Sequence, residues 1–220
     1  MKHNRNKDFK LNKITLLLFS FLIVTICGYS QSASKGFKTL SSPEKCWVIF
    51  HPFKAKRAYR LSLEAKHVSD SISKTNLLDK DGNGGQVDAF RHAYWMATLA
   101  QEIGKNSAKS LGKAHERGNH KQFKKGKLEE GTVPDKPSSD MDLFNNDFGI
   151  TLYKNNKKAS KEEFITLLVQ HIQNGNLKIL KKNTYGNYQD CEGNSIPKKE
   201  LKGIWETSKC LIDSDQKTEI

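Results

Sequence analysis

Two stretches of this chain repeat apolar residues every three or four positions, a period that only packed helices satisfy. Ala58, Leu61, Ala65, Val68 and Ile72 fall on one helical face. Ala89, Ala93, Met96, Ala100 and Ile103 define a second apolar arc, in a segment that opens with DAFRHAYW at residues 88–95 and closes at Gly104. Weaker signals extend the pattern. Ser42-Pro43-Glu44 reads as a helix start with Ser42 as cap, interrupted at His51-Pro52. Ala108, Leu111 and His115 line a helix expected over residues 107–117, and SDMDLFNNDFGITLY is expected to be helical from about Asp140. Ser160 with Glu163 makes a capping box for a helix ending at Gly175. Residues 118–139 read as an irregular loop, and NLKILKKNTYGNY and the residues after it as two or three short strands. The expected fold is mainly α: a compact helical domain over residues 42–220 with a small C-terminal strand-and-turn appendage.

The N-terminus bears on where such a domain works. Residues 1–13 carry five Lys or Arg and one acid, and ITLLLFSFLIVTIC follows without a charge. The pattern is that of a signal peptide over residues 1–30, cut before Gln31, with a disordered linker over residues 31–41. The apolar run is shorter than the ~20 residues of a membrane span, so no transmembrane segment is expected after cleavage. An uncleaved anchor is the alternative. Removing the leader lowers the net charge of +13 to +9, a surplus suited to an anionic ligand or an envelope component. Its plainer reading is a Lys-rich surface that keeps an exported protein soluble. No specific nucleic-acid motif accompanies the charge.

Export gives the cysteines an architectural meaning. Cys191 and Cys210 flank a segment dense in turn residues, and a disulfide between them is expected; Cys46, beside Trp47, reads as a buried thiol. No CxxC or Cys/His spacing points to a structural zinc site.

Three polar sets interrupt the apolar helices. Asp88 stands one turn below His92, and His92 falls inside the apolar arc near its edge. A carboxylate beside an imidazole fixes its tautomer and raises its basicity, which serves catalysis and metal binding alike. His115, next to Glu116, lies on the Ala108/Leu111 face. Asp142, Asn145, Asn146, Gly149 and Tyr153 form a polar stripe opposite Met141, Phe144, Phe148 and Leu152, and its plainer reading is the wet side of an amphipathic helix. One reading joins these sets in a catalytic site of His92, His115, Asp88, Glu116 and Asp142, with zinc on His92, His115 and Asp142. Arg91, Asn145 and Asn146 then bind substrate, although Arg91 also suits a surface pair with an acid. The other reading is a satisfied polar network locking three helices; the strict HExxH motif is absent. Separately, Asp79, Asp81 and Asn83 match the opening of a calcium loop whose twelfth position is Phe90 where a Glu belongs.

GGQVDAFRHAYWMATLAQEIG, AHERGN and MDLFNNDFG together resemble an uncharacterised bacterial helical domain family with DAFRHAYW, AHE and MDLHNNxxG motifs, found in exported proteins and at toxin-like C-terminal ends. The resemblance covers about residues 84–150 and ties Asp88, Arg91, His92, His115, Glu116, Asp142, Asn145 and Asn146 into one signature. This chain departs from the pattern at Phe144, where the motif has histidine. The resulting expectation is an exported hydrolase-like domain acting on an anionic substrate, a phosphodiester or phospholipid. A non-enzymatic exported binding module, with the same residues as core staples, is the alternative.

Overall fold

Helix α3, Gln86–Ile103, carries apolar or small residues on nearly every face, and 13 of its 18 residues are buried. A helix apolar all round must lie inside a protein, and the other elements surround it in a computed structural model that describes residues 36–126 and 133–216. Before it come α1, Ser42–Phe50, and α2, Pro52–Ile72. After it come α4, Lys105–Phe123, α5, Lys136–Asn155, and α6, Lys161–Gln173. A short strand β1, Lys178–Leu180, a turn of helix α7, Lys198–Leu201, and strand β2, Leu211–Asp213, complete the order. The fold is mainly α, with a small antiparallel pair near its C-terminal end. The described residues from Ser41 onward form one compact unit, and residues 36–40 fall outside it.

The core divides around α3. On one side Phe90, Tyr94, Phe164, Leu168 and Ile172 pack together; on the other Trp47, Leu61, Met96, Leu99 and Leu111 do so. Trp95 and Tyr153 touch both groups. Gly149 of α5 lies against Ala93 of α3 so closely that a methyl group there would overlap the Ala93 carbonyl. That contact brings the two helix backbones together where no side chain fits.

Local chemistry sets the helix ends. Ser41, rather than Ser42, caps α1: its Oγ accepts from Glu44 N, and Glu44 Oε2 accepts from Ser41 N at 2.8 Å. Ser160 and Glu163 form the expected box at α6. Helix α4 begins at Lys105 and runs to Phe123, beyond the expected 107–117. The Asp135 side chain caps α5, accepting from Ser138 N at 3.1 Å, and so the helix starts before Asp140. Residues 36–39, placed by sequence in a linker, are helical. The signal peptide expected over residues 1–30 lies outside the described residues, and no helix among those described is long and apolar enough to cross a membrane.

Strands β1 and β2 pair with Ile179 opposite Ile212. Cys191 and Cys210 are joined by a disulfide. Cys46 is exposed rather than buried, because Trp47 takes the inward position on α1 and its Nε1 donates to Ser110 Oγ at 2.8 Å.

Candidate functional site

The first turn of α3 has no capping side chain at Gly85, and the preceding loop supplies one from a distance. Asp79 Oδ2 accepts from Gln86 N at 2.8 Å, and its Oδ1 from Asp81 N at 2.9 Å. Burial raises the Asp79 pKa and the neighbouring Asp81 adds to that, against the backbone donors from Gln86, Asp81 and Val87. Gly84, at φ 85°, then turns its N–H onto Asp88 Oδ2 at 2.7 Å. One oxygen of Asp88 is thereby fixed by the loop, and the other is turned to Arg91 and His92.

Asp88 Oδ1 is bonded to Arg91 Nη2 and lies 3.5 Å from His92 Nε2. Across the Gly149–Ala93 crossing, α5 places Asp142 Oδ1 3.3 Å from the same nitrogen. All three residues are buried, and their ligand atoms lie within 4.8 Å of one another. They are the one such group of His, Cys, Asp and Glu found among the described residues. Arg91, half-buried at the rim, brings Nη2 to 3.5 Å from His92 Nε2. It therefore pairs with Asp88 beside the triad.

The stripe on α5 is not the wet side of its helix. Asp142, Asn145, Asn146 and Gly149 are all buried, whereas Phe144 is exposed, with Lys178 Nζ 5.7 Å from its ring centre. Two positions on from Asp142, Phe144 points about 200° away around the helix, so the residue at that motif position is no partner of the triad. The two asparagines part company. Asn145 is spent on β1, accepting from Lys178 N at 3.0 Å and donating to Lys178 O at 2.9 Å. Asn146, 4% exposed, has neither amide atom hydrogen-bonded among the described residues. Its Nδ2 faces Gly112 of α4.

His115 lies outside the close group of Asp88, His92 and Asp142. Its Nδ1 lies 3.0 Å from Glu44 Oε1 of α1, and its ring stands edge-on to Trp95. Helix α4 packs against both α3 and α5, and Glu44 of α1 is an acid that His115 meets. Glu116 is buried and accepts from Asn119 Nδ2 at 3.2 Å.

The loop read as a calcium site is built differently. Asp79 serves backbone amides, Asp81 Oδ1 accepts from Asn83 N at 3.0 Å, and Asn83 Oδ1 accepts from Tyr188 Oη. Lys182 Nζ bonds to both Asp81 Oδ2 and the Asn83 carbonyl. Its ammonium sets a positive charge beside Asp81 and the Asn83 carbonyl.

Residues 45–176 match the family described as Domain of unknown function (DUF6973), which is more than half of the chain. The chain belongs to that family. Neither a curated protein nor a solved structure matches it significantly. The DUF6973 region holds the whole triad and ends before β1. Beyond it lie residues that sequence reasoning missed. Lys209, almost fully buried, pairs with Asp135 Oδ2 at 2.8 Å and stands 3.8 Å from the centre of the Tyr188 ring. Burial pulls the Lys209 pKa down, Asp135 opposes that, and Lys182 adds to it. Burial, with the carboxylates Asp81, Asp135 and Asp88, pushes Tyr188 well above the ordinary phenol value. No local pattern marks these residues, because Lys209 pairs with Asp135 and Tyr188 with Asn83, 105 positions earlier in the chain.

Proposed function

We propose that Asp88, His92 and Asp142 hold one divalent metal, and that an exported protein uses it to hydrolyse an anionic ester of the phosphodiester or phospholipid type. The spacing of the triad carries the reading. Three ligands of a tetrahedral metal at bonds of ~2.1 Å stand about 3.4 Å apart, and the imidazole nitrogen lies 3.5 Å and 3.3 Å from the two carboxylate oxygens. Two carboxylates and one imidazole suit zinc or manganese. When bound, the metal supplies an acidified water and polarises a phosphoryl oxygen.

The remaining roles fall to the chain's own groups. Gly84 N–H fixes Asp88 so that one oxygen stays turned to His92. Arg91 sets a guanidinium at the rim, where a phosphate oxygen can be met by two donors. Asn146 offers a buried amide one turn beyond Asp142 to orient substrate. His115, held by Glu44, takes no step, and Asn145 belongs to the framework. The Cys191–Cys210 disulfide supports export.

A second reading rests on Arg91. It already meets Asp88 with a positive charge, so the same residues form a staple between α3 and α5 in a non-enzymatic binding module. Elemental analysis of the wild type, His92→Ala and Asp142→Asn, with melting curves and a chromogenic phosphodiester assay, separates the two. The metal reading expects about one metal per chain, lost together with activity in both variants. A metal-free wild type, with each variant destabilised by ~3–5 kcal/mol, establishes the staple instead.

A further inference from the structure

The corner between α1 and α2 turns its aromatic residues both ways. Inward, Trp47 is buried and His51 stacks on it with ring centres 4.4 Å apart, its Nδ1 at 2.9 Å from the Trp47 carbonyl. Outward, Ile49, Phe50 and Phe53 are 66%, 75% and 99% exposed. Single exposed apolar residues are ordinary; three large ones at one convex corner form a patch. The flanks are basic. Between Glu44 and Glu64 the chain has five Lys or Arg and no acid. Arg57 and Arg60 share the single carboxylate of Glu102, and both remain largely exposed.

We propose that this corner is a membrane-docking tip, which inserts Ile49, Phe50 and Phe53 into the interface of an anionic phospholipid bilayer. Apolar residues at the apex with cations behind them match the layering of such an interface, acyl chains below phosphate headgroups. Lys54, Lys56, Arg57 and Arg60 follow Phe53 directly, within reach of headgroup phosphates while the apex enters the apolar layer. A second copy of the chain is a poor occupant, because a two-fold contact at this corner would press the basic flanks together.

The tip lies at the far end of α3 from the triad. Arg57 and Arg60 meet Glu102, and Lys54 donates to Ser107 at 2.7 Å. His92 is ten residues nearer the N-terminus, about 15 Å along the helix axis. Docking by this corner tethers the protein and leaves the triad turned from the bilayer, so it stands whether or not the triad binds metal.

The test places a reporter at the apex. Phe53→Trp in the full chain is mixed with phosphatidylglycerol vesicles or phosphatidylcholine vesicles, each with and without brominated acyl chains. The wild type, with Trp47, Trp95 and Trp205, gives the baseline, so anchoring by any other segment does not mimic the signal. The tip reading expects a blue shift and bromine quenching beyond that baseline in phosphatidylglycerol. It also expects a partition coefficient lowered more than about tenfold by Lys54→Glu with Lys56→Glu. Emission that stays at the baseline with vesicles overturns the proposal. So does a concentration-dependent blue shift without lipid, which marks self-association, and equal insertion into phosphatidylcholine removes the anionic assignment.

Discussion

Glu44 does two jobs with two oxygens. Oε2 closes the capping box on Ser41 N and Oε1 meets His115 of α4, so one carboxylate both starts α1 and fastens it to the bundle. Burial raises its pKa, but the His115 bond and charge with the Ser41 donors outweigh that and hold it below the ordinary 4.5. A carboxyl with a depressed folded pKa adds stability that is complete above its unfolded value and lost as pH falls through the folded one. Wild-type stability should therefore drop on acidification below 4.5. Glu44→Gln should cost about 1–3 kcal/mol at neutral pH, and the gap should close in acid. Melting curves from neutral to acidic pH check this, and a gap that persists in acid would contradict it. Single residues also mark the limit of what sequence can tell. Asp88 and His92 were legible because an i, i+4 pair shares one helix face whatever surrounds it. Asn145 and Asn146 are identical neighbours, and only the position of β1 decides that the first is a clamp.

Between elements, the decisive contact is the crossing of α5 over α3. Periodicity found both helices and the inward edge of α3, yet it gave no sign of which helices meet. His115 was grouped with His92 for that reason; the structure sets it beside Glu44 of α1, outside the close group of Asp88, His92 and Asp142. The buried stripe on α5 misled for a related cause. Asp142, Asn145 and Asn146 look like a solvated face until α3, α4 and β1 are placed against them. Gly149 is what lets α5 come close enough. Gly149→Ala puts a methyl group into the Ala93 carbonyl, and overpacking of this kind costs ~1–3 kcal/mol. Because Asp142 and His92 stand on the two helices being parted, the metal reading also expects the variant to retain metal more weakly. Gly82→Ala is the matched control, since a methyl group there meets nothing within 4 Å. Thermal melts and metal content of the two variants make the comparison. Equal stability in both would remove the crossing from the account.

At the scale of the molecule, the C-terminal segment is tied to the helical body by bonds that converge around the triad. Leu180 N donates to the Gly84 carbonyl at 2.7 Å, and Lys182 holds Asp81. Asn145 grips Lys178, and Lys209 meets the Asp135 that caps α5. Gly84 in turn fixes Asp88, and α5 carries Asp142, so the segment braces both sides of the site from outside the DUF6973 region. It has little core of its own, and the disulfide between Cys191 and Cys210 closes it covalently. A loop of 19 residues' separation closed in this way is worth about 3 kcal/mol in the chain-entropy model. Reduction should lower the melting temperature of the wild type and leave a Cys191→Ser, Cys210→Ser double variant unchanged. Limited proteolysis should then cut first between residues 182 and 210 while α3 and α5 stay protected. If the bracing is mutual and the triad binds metal as proposed, the reduced protein should also hold that metal more weakly, since Gly84 loses its partner at Leu180 when β1 loosens. Reduction that exposes the segment to protease without changing metal retention would show that the helical body sets the triad unaided.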